Sequence, residues 1–148
     1  MKTIFDKTTR DEVIGRISSL DENSTPQWGK MNVYQMLKHC TLAEAMYLGH
    51  TQHKRAFIGR IFGKLALKSM LKDESPMGRN APTSAAFKVK EITGDIAAQK
   101  DQWVTLINKY DHFSKPEFEH WFFGKMTKEQ VGQLVYKHID HHLRQFNS

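Results

Sequence analysis

Hydrophobic residues recur at helical spacing in four long stretches of the chain, and the first stretch begins close to the N-terminus. Thr9 and Glu12 have the spacing of a capping box, in which each side chain accepts a hydrogen bond from the other residue's backbone amide. Apolar residues then recur every three or four positions, at Val13, Ile14, Ile17 and Leu20. Pro26 and Gly29 interrupt the pattern. The first stretch therefore predicts a helix that begins near Thr9.

The second stretch has the clearest helix start. Asn32 and Gln35 fit a capping box, and Met31 and Met36 have the spacing of a hydrophobic staple. Gly49 is suited to end the helix. The predicted apolar stripe consists of Val33, Met36, Leu37, Cys40, Ala43 and Tyr47.

The third and fourth stretches lie in the C-terminal half. The third predicts a helix over roughly residues 91–110 from the helical recurrence of its apolar residues. These are Ile92, Ile96, Trp103, Leu106, Ile107 and Tyr110. The fourth begins at Thr127, with Gln130 completing a capping box and Met126 and Val131 a staple, and it is predicted to run to the end of the chain.

A shorter amphipathic helix is predicted between the second and third long helices, over residues 57–71. We expect its apolar face to pack over the other helices with the basic side in solvent, although such a helix can also lie on a membrane, meet nucleic acid, roof a site or pair two subunits. Its apolar face consists of Phe57, Ile58, Ile61, Phe62 and Leu65. A loop containing Pro76, Gly78 and Pro82 follows.

No stretch shows the alternation of apolar and polar residues that would predict a β-strand. The predicted fold is therefore all-α, with four long helices in a single domain over residues 1–148 and an extra short helix and loop between helices 2 and 3.

Composition narrows the class of protein. The 148 residues contain one cysteine, Cys40, so no intrachain disulfide can form, and a reducing cytoplasm is the expected location. No window approaches the roughly 20 apolar residues of a membrane span. The net charge of +6 permits an anionic partner, but the basic residues are dispersed, and no nucleic-acid partner is expected.

Histidines are concentrated near the C-terminus, in "KHIDHHLRQF", and the chain has eight in all. A helix turns about 100° per residue, so His138 and His142 share the apolar face of the last helix, while Asp140 points roughly the opposite way. His39 on the second helix also has apolar neighbours at three- and four-residue steps. All three are therefore predicted to face inward.

Inward-facing imidazoles in a dry site cannot all be cationic, and a divalent metal ion offers one resolution because neutral imidazoles bind zinc, nickel and iron. Three histidines with open positions left over are typical of catalytic sites, whereas structural zinc sites are closed by four protein ligands. The alternative is that the histidines are core residues hydrogen-bonded to the backbone. Cys40 points away from His39 and is predicted to be a buried small hydrophobe rather than a nucleophile.

Two motifs, "MNVYQMLKHC" and "HIDHHLRQF", together resemble the DinB/YfiT-like superfamily of metalloenzymes. The stretches "WGKMNVYQMLKHC", "HWFFGKMTKEQ" and "YKHIDHHLRQF" are closer still to one subfamily, a domain of unknown function. The resemblance spans roughly residues 28–146. It implies a four-helix bundle with a down-up-up-down course, and a nickel, zinc or iron ion held by His39, His138 and His142.

Two further residues are candidates for the surroundings of that metal. His120 matches a histidine of the subfamily and is either a contact to the ligands or substrate, or a packing or capping residue. Gln145 lies near the apolar stripe of the last helix and is a candidate hydrogen-bond partner for a ligand.

The predicted function is a metal-dependent enzyme that activates a water or a low-molecular-weight thiol against an electrophilic small molecule, as a thiol S-transferase or a hydrolase. Some members of the superfamily transfer such thiols. The alternative is a non-catalytic metal-binding or stress-related interaction module. The sequence leaves open the metal, the substrate, and whether the chain forms a homodimer.

Overall fold

Five α-helices and one two-stranded antiparallel sheet form the fold, in a computed structural model that describes residues 1–148. The protein is mainly helical, as predicted. In chain order the elements are α1 (Lys7–Ser18), α2 (Val33–Tyr47), α3 (Phe57–Met70), a 3-10 helix (Ala85–Phe87), α4 (Ile96–Asn108), a second 3-10 helix (Lys109–His112), β1 (Glu117–His120), β2 (Gly124–Thr127) and α5 (Lys128–Gln145).

The capping boxes predicted for α2 and α5 are both confirmed. The Asn32 side chain accepts a hydrogen bond from the Gln35 amide at 2.9 Å, and the Gln35 side chain accepts one from the Asn32 amide at 3.2 Å. Thr127 and Gln130 make the same reciprocal pair at 3.2 and 3.0 Å. Gly49 follows α2 with φ of +82°, so it is the helix stop that the sequence predicts. These signals set the entry points of the two helices that carry the candidate histidines.

The start of α1 differs from its prediction. The helix begins at Lys7, Asp6 is the N-cap without a side-chain cap, and Thr9 is buried within the helix. The predicted capping box is therefore wrong. The chain just before the helix is instead held by Arg10, whose guanidinium donates to the Phe5 carbonyl at 2.7 Å.

The start of α4 differs in the other direction and is later than predicted. Asp95 is the N-cap, and its side chain accepts from the Ala98 amide at 2.9 Å. Ile92 lies outside the helix and is 67% exposed, so the apolar pattern extended the prediction too far toward the N-terminus.

The hairpin of β1 and β2 was not predicted. Its register pairs Phe118 with Met126 and His120 with Gly124. Each strand has only four residues. An alternation of apolar and polar residues over so short a length cannot be distinguished from the aromatic turn that joins the strands. The hairpin contacts both α3 and α5. The expectation of a fold without strands is therefore wrong here.

A single cluster of 25 buried hydrophobic residues forms the core. In this core α2 packs against α4 and α5, and α1 packs against the same two helices. Cys40 is fully buried among them, as predicted. None of the helices combines the length and the apolar character that crossing a membrane requires.

The orientation of α3 is opposite to its prediction. Gly59 and Gly63 face inward, so close to the hairpin turn that a Cβ at either would lie 2.4 or 2.2 Å from the Phe122 carbonyl oxygen. The expected packing of the apolar face over the other helices is wrong, because that face points into solvent. Its exposed residues are Phe57, Ile58, Ile61, Phe62 and Leu65.

Asp140 also departs from its prediction. Instead of pointing into solvent it is buried between helices, where it accepts hydrogen bonds from Arg16 of α1 at 2.8 Å and from Arg144 at 2.7 Å. The helical wheel placed it away from the histidines correctly, but it could not show that α1 covers that side.

Candidate metal centre

Three histidines from two helices converge on one point of the interior. His39 comes from α2, and His138 and His142 lie one turn apart on α5. One ring nitrogen of each lies within 4.8 Å of those of the other two. His39 and His142 are buried, and His138 is partly buried. The three residues that the sequence selected are thus brought together as a group that could hold a metal ion.

The orientation of His39 is set by the backbone of the loop between α3 and α4. Its Nδ1 lies 2.9 Å from the carbonyl oxygen of Phe87. A carbonyl can only accept, so Nδ1 carries the proton and donates. In the neutral ring this leaves Nε2 with a free lone pair, directed toward the other histidines.

The side-chain amide of Gln145 orients His142 and is itself held by a backbone carbonyl. The Gln145 Nε2 donates to the carbonyl oxygen of Trp28 at 2.8 Å, which identifies its other end as the acceptor. The Gln145 Oε1 lies 2.9 Å from the Nδ1 of His142, so this nitrogen is the donor. His142 therefore also has its Nε2 lone pair free.

His138 completes the group without such support. Its Nε2 lies 3.3 Å from the Nε2 of His39. Its Nδ1 is buried and has no hydrogen-bond partner in the protein. The ring is thus held by packing and by its histidine neighbours, whose ring centroids lie 4.7 Å (His142) and 5.3 Å (His39) away.

The surroundings keep all three imidazoles neutral. Burial lowers the pKa of His39, although the hydrogen bond to the Phe87 carbonyl partly opposes this. Burial and then the nearby His39 lower the pKa of His142 to about 3. Burial, followed by the neighbouring His142 and His39, lowers the pKa of His138 well below its ordinary value. Neutral imidazole is the form that binds metals.

The spacing of one nitrogen pair fits a shared ion. Two nitrogens bound to one zinc ion at about 2.1 Å with a tetrahedral angle lie about 3.4 Å apart. The separation between the Nε2 atoms of His39 and His138 is 3.3 Å. The three nitrogens lie within 4.8 Å of one another, so the third ring must move slightly to share the ion. The donor set suits a divalent metal in the spacing of the His39–His138 pair and in the neutral state of the rings, and the Nδ1 atoms of His39 and His142 have the hydrogen bonds that orient metal ligands.

His120 lies outside this group. Its Nδ1 accepts hydrogen bonds from the backbone amides of Phe122 and Phe123, at 3.0 and 3.2 Å, and its ring centroid lies 5.7 Å from that of Tyr47. Burial and then the positive charge of Arg55 lower its pKa to about 3. These contacts are those of a turn-capping residue, one of the two roles that the sequence left open.

A buried acid lies on α2 outside the set of candidate site residues, because its spacing places it on a different part of the helix surface from His39. Glu44 of α2 is fully buried and accepts a hydrogen bond from the Tyr110 hydroxyl. Burial raises its pKa to about 7, although the hydrogen bond from the Tyr110 hydroxyl and then the proximity of the Trp103 indole partly oppose this. The sequence carried a signal of its burial, because Glu44 lies four residues after Cys40 and three before Tyr47 on the apolar stripe. It does not belong to the histidine group.

Comparison with known proteins gives a family but no characterised relative. No curated protein matches the chain. No solved structure matches it either. A family model described as "Protein of unknown function (DUF1569)" matches residues 3–148. This agrees with the predicted membership of a domain of unknown function. Because the match covers nearly the whole sequence, the chain belongs to the DUF1569 family.

Proposed function

We propose that the protein is a metal-dependent enzyme whose divalent ion is held by His39, His138 and His142. The observation that carries the proposal is the convergence of three neutral histidines. In His39 and His142 the Nδ1 donates a hydrogen bond, which leaves Nε2 as the nitrogen available to a metal ion. The Nε2 atoms of His39 and His138 lie 3.3 Å apart, so two lone pairs there repel unless a cation, or the ring proton of a neutral His138, lies between them. The lowered pKa values keep all three rings neutral, which is the form that binds a cation.

The three ligands leave part of the coordination sphere for other groups, as in catalytic rather than structural metal sites. A divalent ion in such a site lowers the pKa of a bound water or thiol and so supplies a nucleophile near neutral pH. Imidazole ligands suit nickel, zinc and iron alike. We propose one of these as the cofactor.

The chain's own contribution is to position the ligands and to set the charge of the site. The Phe87 carbonyl and Gln145 fix the rings of His39 and His142. The group contains histidines only, with no carboxylate. Because the three side chains are neutral, the site attracts anionic groups once a divalent cation is bound, which favours a thiol that can ionise. We therefore propose a low-molecular-weight thiol or water as nucleophile and an electrophilic small molecule as substrate.

We further propose that α1, α2, α4 and α5 form one domain with the down-up-up-down course of a DinB/YfiT-like four-helix bundle. The pairwise packing of these helices around one core supports this arrangement. In this interpretation α3 and the hairpin are additions at one side of the bundle.

The test is the metal content of the purified, untagged protein after incubation with zinc or nickel salts and gel filtration. We expect about one ion per chain in wild type and none in the His138→Ala/His142→Ala variant. A matched control removes two exposed histidines, in His50→Ala/His112→Ala, and should keep its metal. Circular dichroism checks that each variant remains helical. Wild-type protein without metal, or equal loss in the control, would contradict the proposal.

A separate experiment tests the enzymatic part. The metal-loaded wild type is screened for transfer of low-molecular-weight thiols to electrophiles and for hydrolysis of activated esters, beside the His138→Ala/His142→Ala variant. Turnover that disappears in the variant supports the enzyme. A protein that binds metal stoichiometrically but turns over none of these substrates would favour the non-catalytic metal-binding or interaction module.

A further inference from the structure

The exposed hydrophobic residues of this protein are concentrated on one helix. Seven large hydrophobic residues are exposed, and five of them belong to α3. Their exposed fractions are 75% for Phe57, 61% for Ile58, 60% for Ile61, 56% for Phe62 and 69% for Leu65. Contiguous apolar patches of this kind mark sites of contact with another surface. We call these five residues the apolar face of α3.

The packing of α3 imposes this orientation. The close approach of Gly59 and Gly63 to the hairpin turn leaves no room for a side chain at these two inner positions. Both ends of the helix are also tied down. At the N-terminal end Arg55 donates to the His120 carbonyl at 2.8 Å, and at the C-terminal end Lys137 donates to the Met70 carbonyl at 2.7 Å. The apolar face is therefore held outward, and α3 would have to leave the hairpin for this face to be buried within the chain.

A line of positive charge borders the apolar face. Arg60, Lys64 and Lys68 are exposed and spaced four residues apart, so they follow one edge of α3. None of the three forms an ion pair with a carboxylate. The segment 54–72 contains six basic residues and no acidic ones. Whatever covers the apolar face must therefore be apolar in its interior and negatively charged at its edge.

Charge and area distinguish between the candidate occupants. A second copy of the chain docking face to face through α3 would bring two basic edges together, and these repel. The apolar face offers about 500 Å² by the usual area of such side chains, whereas a stable dimer buries about 800 Å² per partner. Nucleic acid satisfies the charge but leaves the apolar side chains in water. A bilayer with anionic headgroups satisfies both requirements.

We propose that α3 docks the protein on an anionic lipid surface, with the apolar face inserted between headgroups and acyl chains and the basic edge at the phosphates. An amphipathic helix with basic residues beside its apolar face has the composition of known interfacial helices. The contact is peripheral and involves none of the three candidate metal ligands, so it is independent of the proposed enzymatic function.

The experiment is co-sedimentation of the full-length protein with vesicles of phosphatidylcholine alone and of phosphatidylcholine mixed with phosphatidylglycerol, at physiological salt. Two variants alter α3, Lys64→Glu/Lys68→Glu at its basic edge and Ile61→Asp/Leu65→Asp on its apolar face. Because all four side chains are exposed, we expect both variants to fold. The matched control, Lys88→Glu/Lys90→Glu, makes the same charge change at exposed sites outside α3.

We expect wild type and control to bind the mixed vesicles and to bind phosphatidylcholine weakly. A basic residue near an anionic membrane contributes a factor of about five in affinity, so the Lys64→Glu/Lys68→Glu variant should bind at least about 25-fold more weakly. The apolar-face variant should lose binding as well.

Four results would overturn the proposal. The first is no vesicle binding by wild type. The second is equal weakening in the control, which would mean that net charge alone drives binding. The third is a dimer in sedimentation velocity that the Ile61→Asp/Leu65→Asp variant dissociates, since the apolar face would then be a protein interface. The fourth is DNA binding with the same dependence on Lys64 and Lys68 in the absence of vesicle binding.

Discussion

Gln145 is the residue whose replacement best separates a metal site from a packed core. Its side chain joins the Trp28 carbonyl to the Nδ1 of His142 and is 3% exposed. In Gln145→Leu both partners lose their hydrogen bond, and each unsatisfied buried group costs about 1–3 kcal/mol of stability. If His142 is a ligand, the loss of its outer partner also weakens metal binding by about 10–100-fold.

A second variant at the same position separates these two effects. Gln145→Glu keeps an oxygen that accepts from the Nδ1 of His142 but loses the donor to the Trp28 carbonyl. A carboxylate in this place raises the basicity of a ligating histidine. We therefore expect Gln145→Glu to bind zinc at least as tightly as wild type. It should be less stable without metal, because a charged group is then buried with one partner lost.

The assays are zinc competition against a chromophoric chelator and urea unfolding in excess chelator. The expected pattern is destabilisation of both variants without metal, with weaker zinc affinity in Gln145→Leu only. The reasoning would be refuted by a Gln145→Leu variant that is destabilised yet binds zinc as tightly as wild type. Gln145 would then be a structural residue that does not act through a ligand.

Three further predictions concern stability. The folded-state pKa of Glu44 is raised to about 7, so the stability that its protonated form contributes is fully present below pH 4.5 and is lost as pH rises through 7. Between these pH values, the free energy of unfolding of wild type should therefore fall by up to about 3 kcal/mol relative to that of Glu44→Gln. Urea unfolding of both proteins at pH 5 and pH 8 measures this, and parallel pH profiles would contradict it. Gly63→Ala should lower the free energy of unfolding by at least about 1–3 kcal/mol, because its Cβ would lie 2.2 Å from the hairpin backbone. Gly15→Ala has no atom within 4 Å of its Cβ and should raise the free energy of unfolding by about 0.5–1 kcal/mol. Equal shifts in the Tm of the two variants would refute the packing argument. Asn32→Ala should lower the free energy of unfolding by about 1 kcal/mol because it removes a helix cap. Asp6→Ala should change it little, because the Asp6 side chain makes no cap. Equal losses of stability in the two variants, measured by urea unfolding, would contradict the assignment of the caps.

The sequence determined the features that depend on local chemistry. Asn32 and Gln35 cap α2 and Thr127 and Gln130 cap α5, because a capping box closes within four residues whatever packs nearby. The inward direction of His142 likewise follows from its spacing to the apolar residues of α5. The sequence indicated His39, His138 and His142 through such spacing together with the resemblance of two motifs to the DinB/YfiT-like superfamily.

Contacts between distant residues lay beyond local reasoning. Thr9 and Glu12 fit a capping box, yet α1 begins earlier, where Arg10 binds the Phe5 carbonyl and also Asp111, 101 positions away. Glu44 occupies an apolar stripe as a buried acid, and its partner Tyr110 lies 66 residues away. Spacing along one helix gives a direction but does not identify the group that lies there.

The tertiary structure alone decided what each face meets. Periodicity identified the apolar side of α3 correctly, but only the approach of Gly59 and Gly63 to the turn at Phe122 decided that this side faces solvent. In the same way, the sequence placed His39 and His138, which are 99 positions apart, on the inward faces of two helices, and only packing brought their Nε2 atoms to 3.3 Å. The physical reason is that side-chain periodicity is a property of one helix, whereas a metal site or a docking surface depends on which helices pack together and how closely.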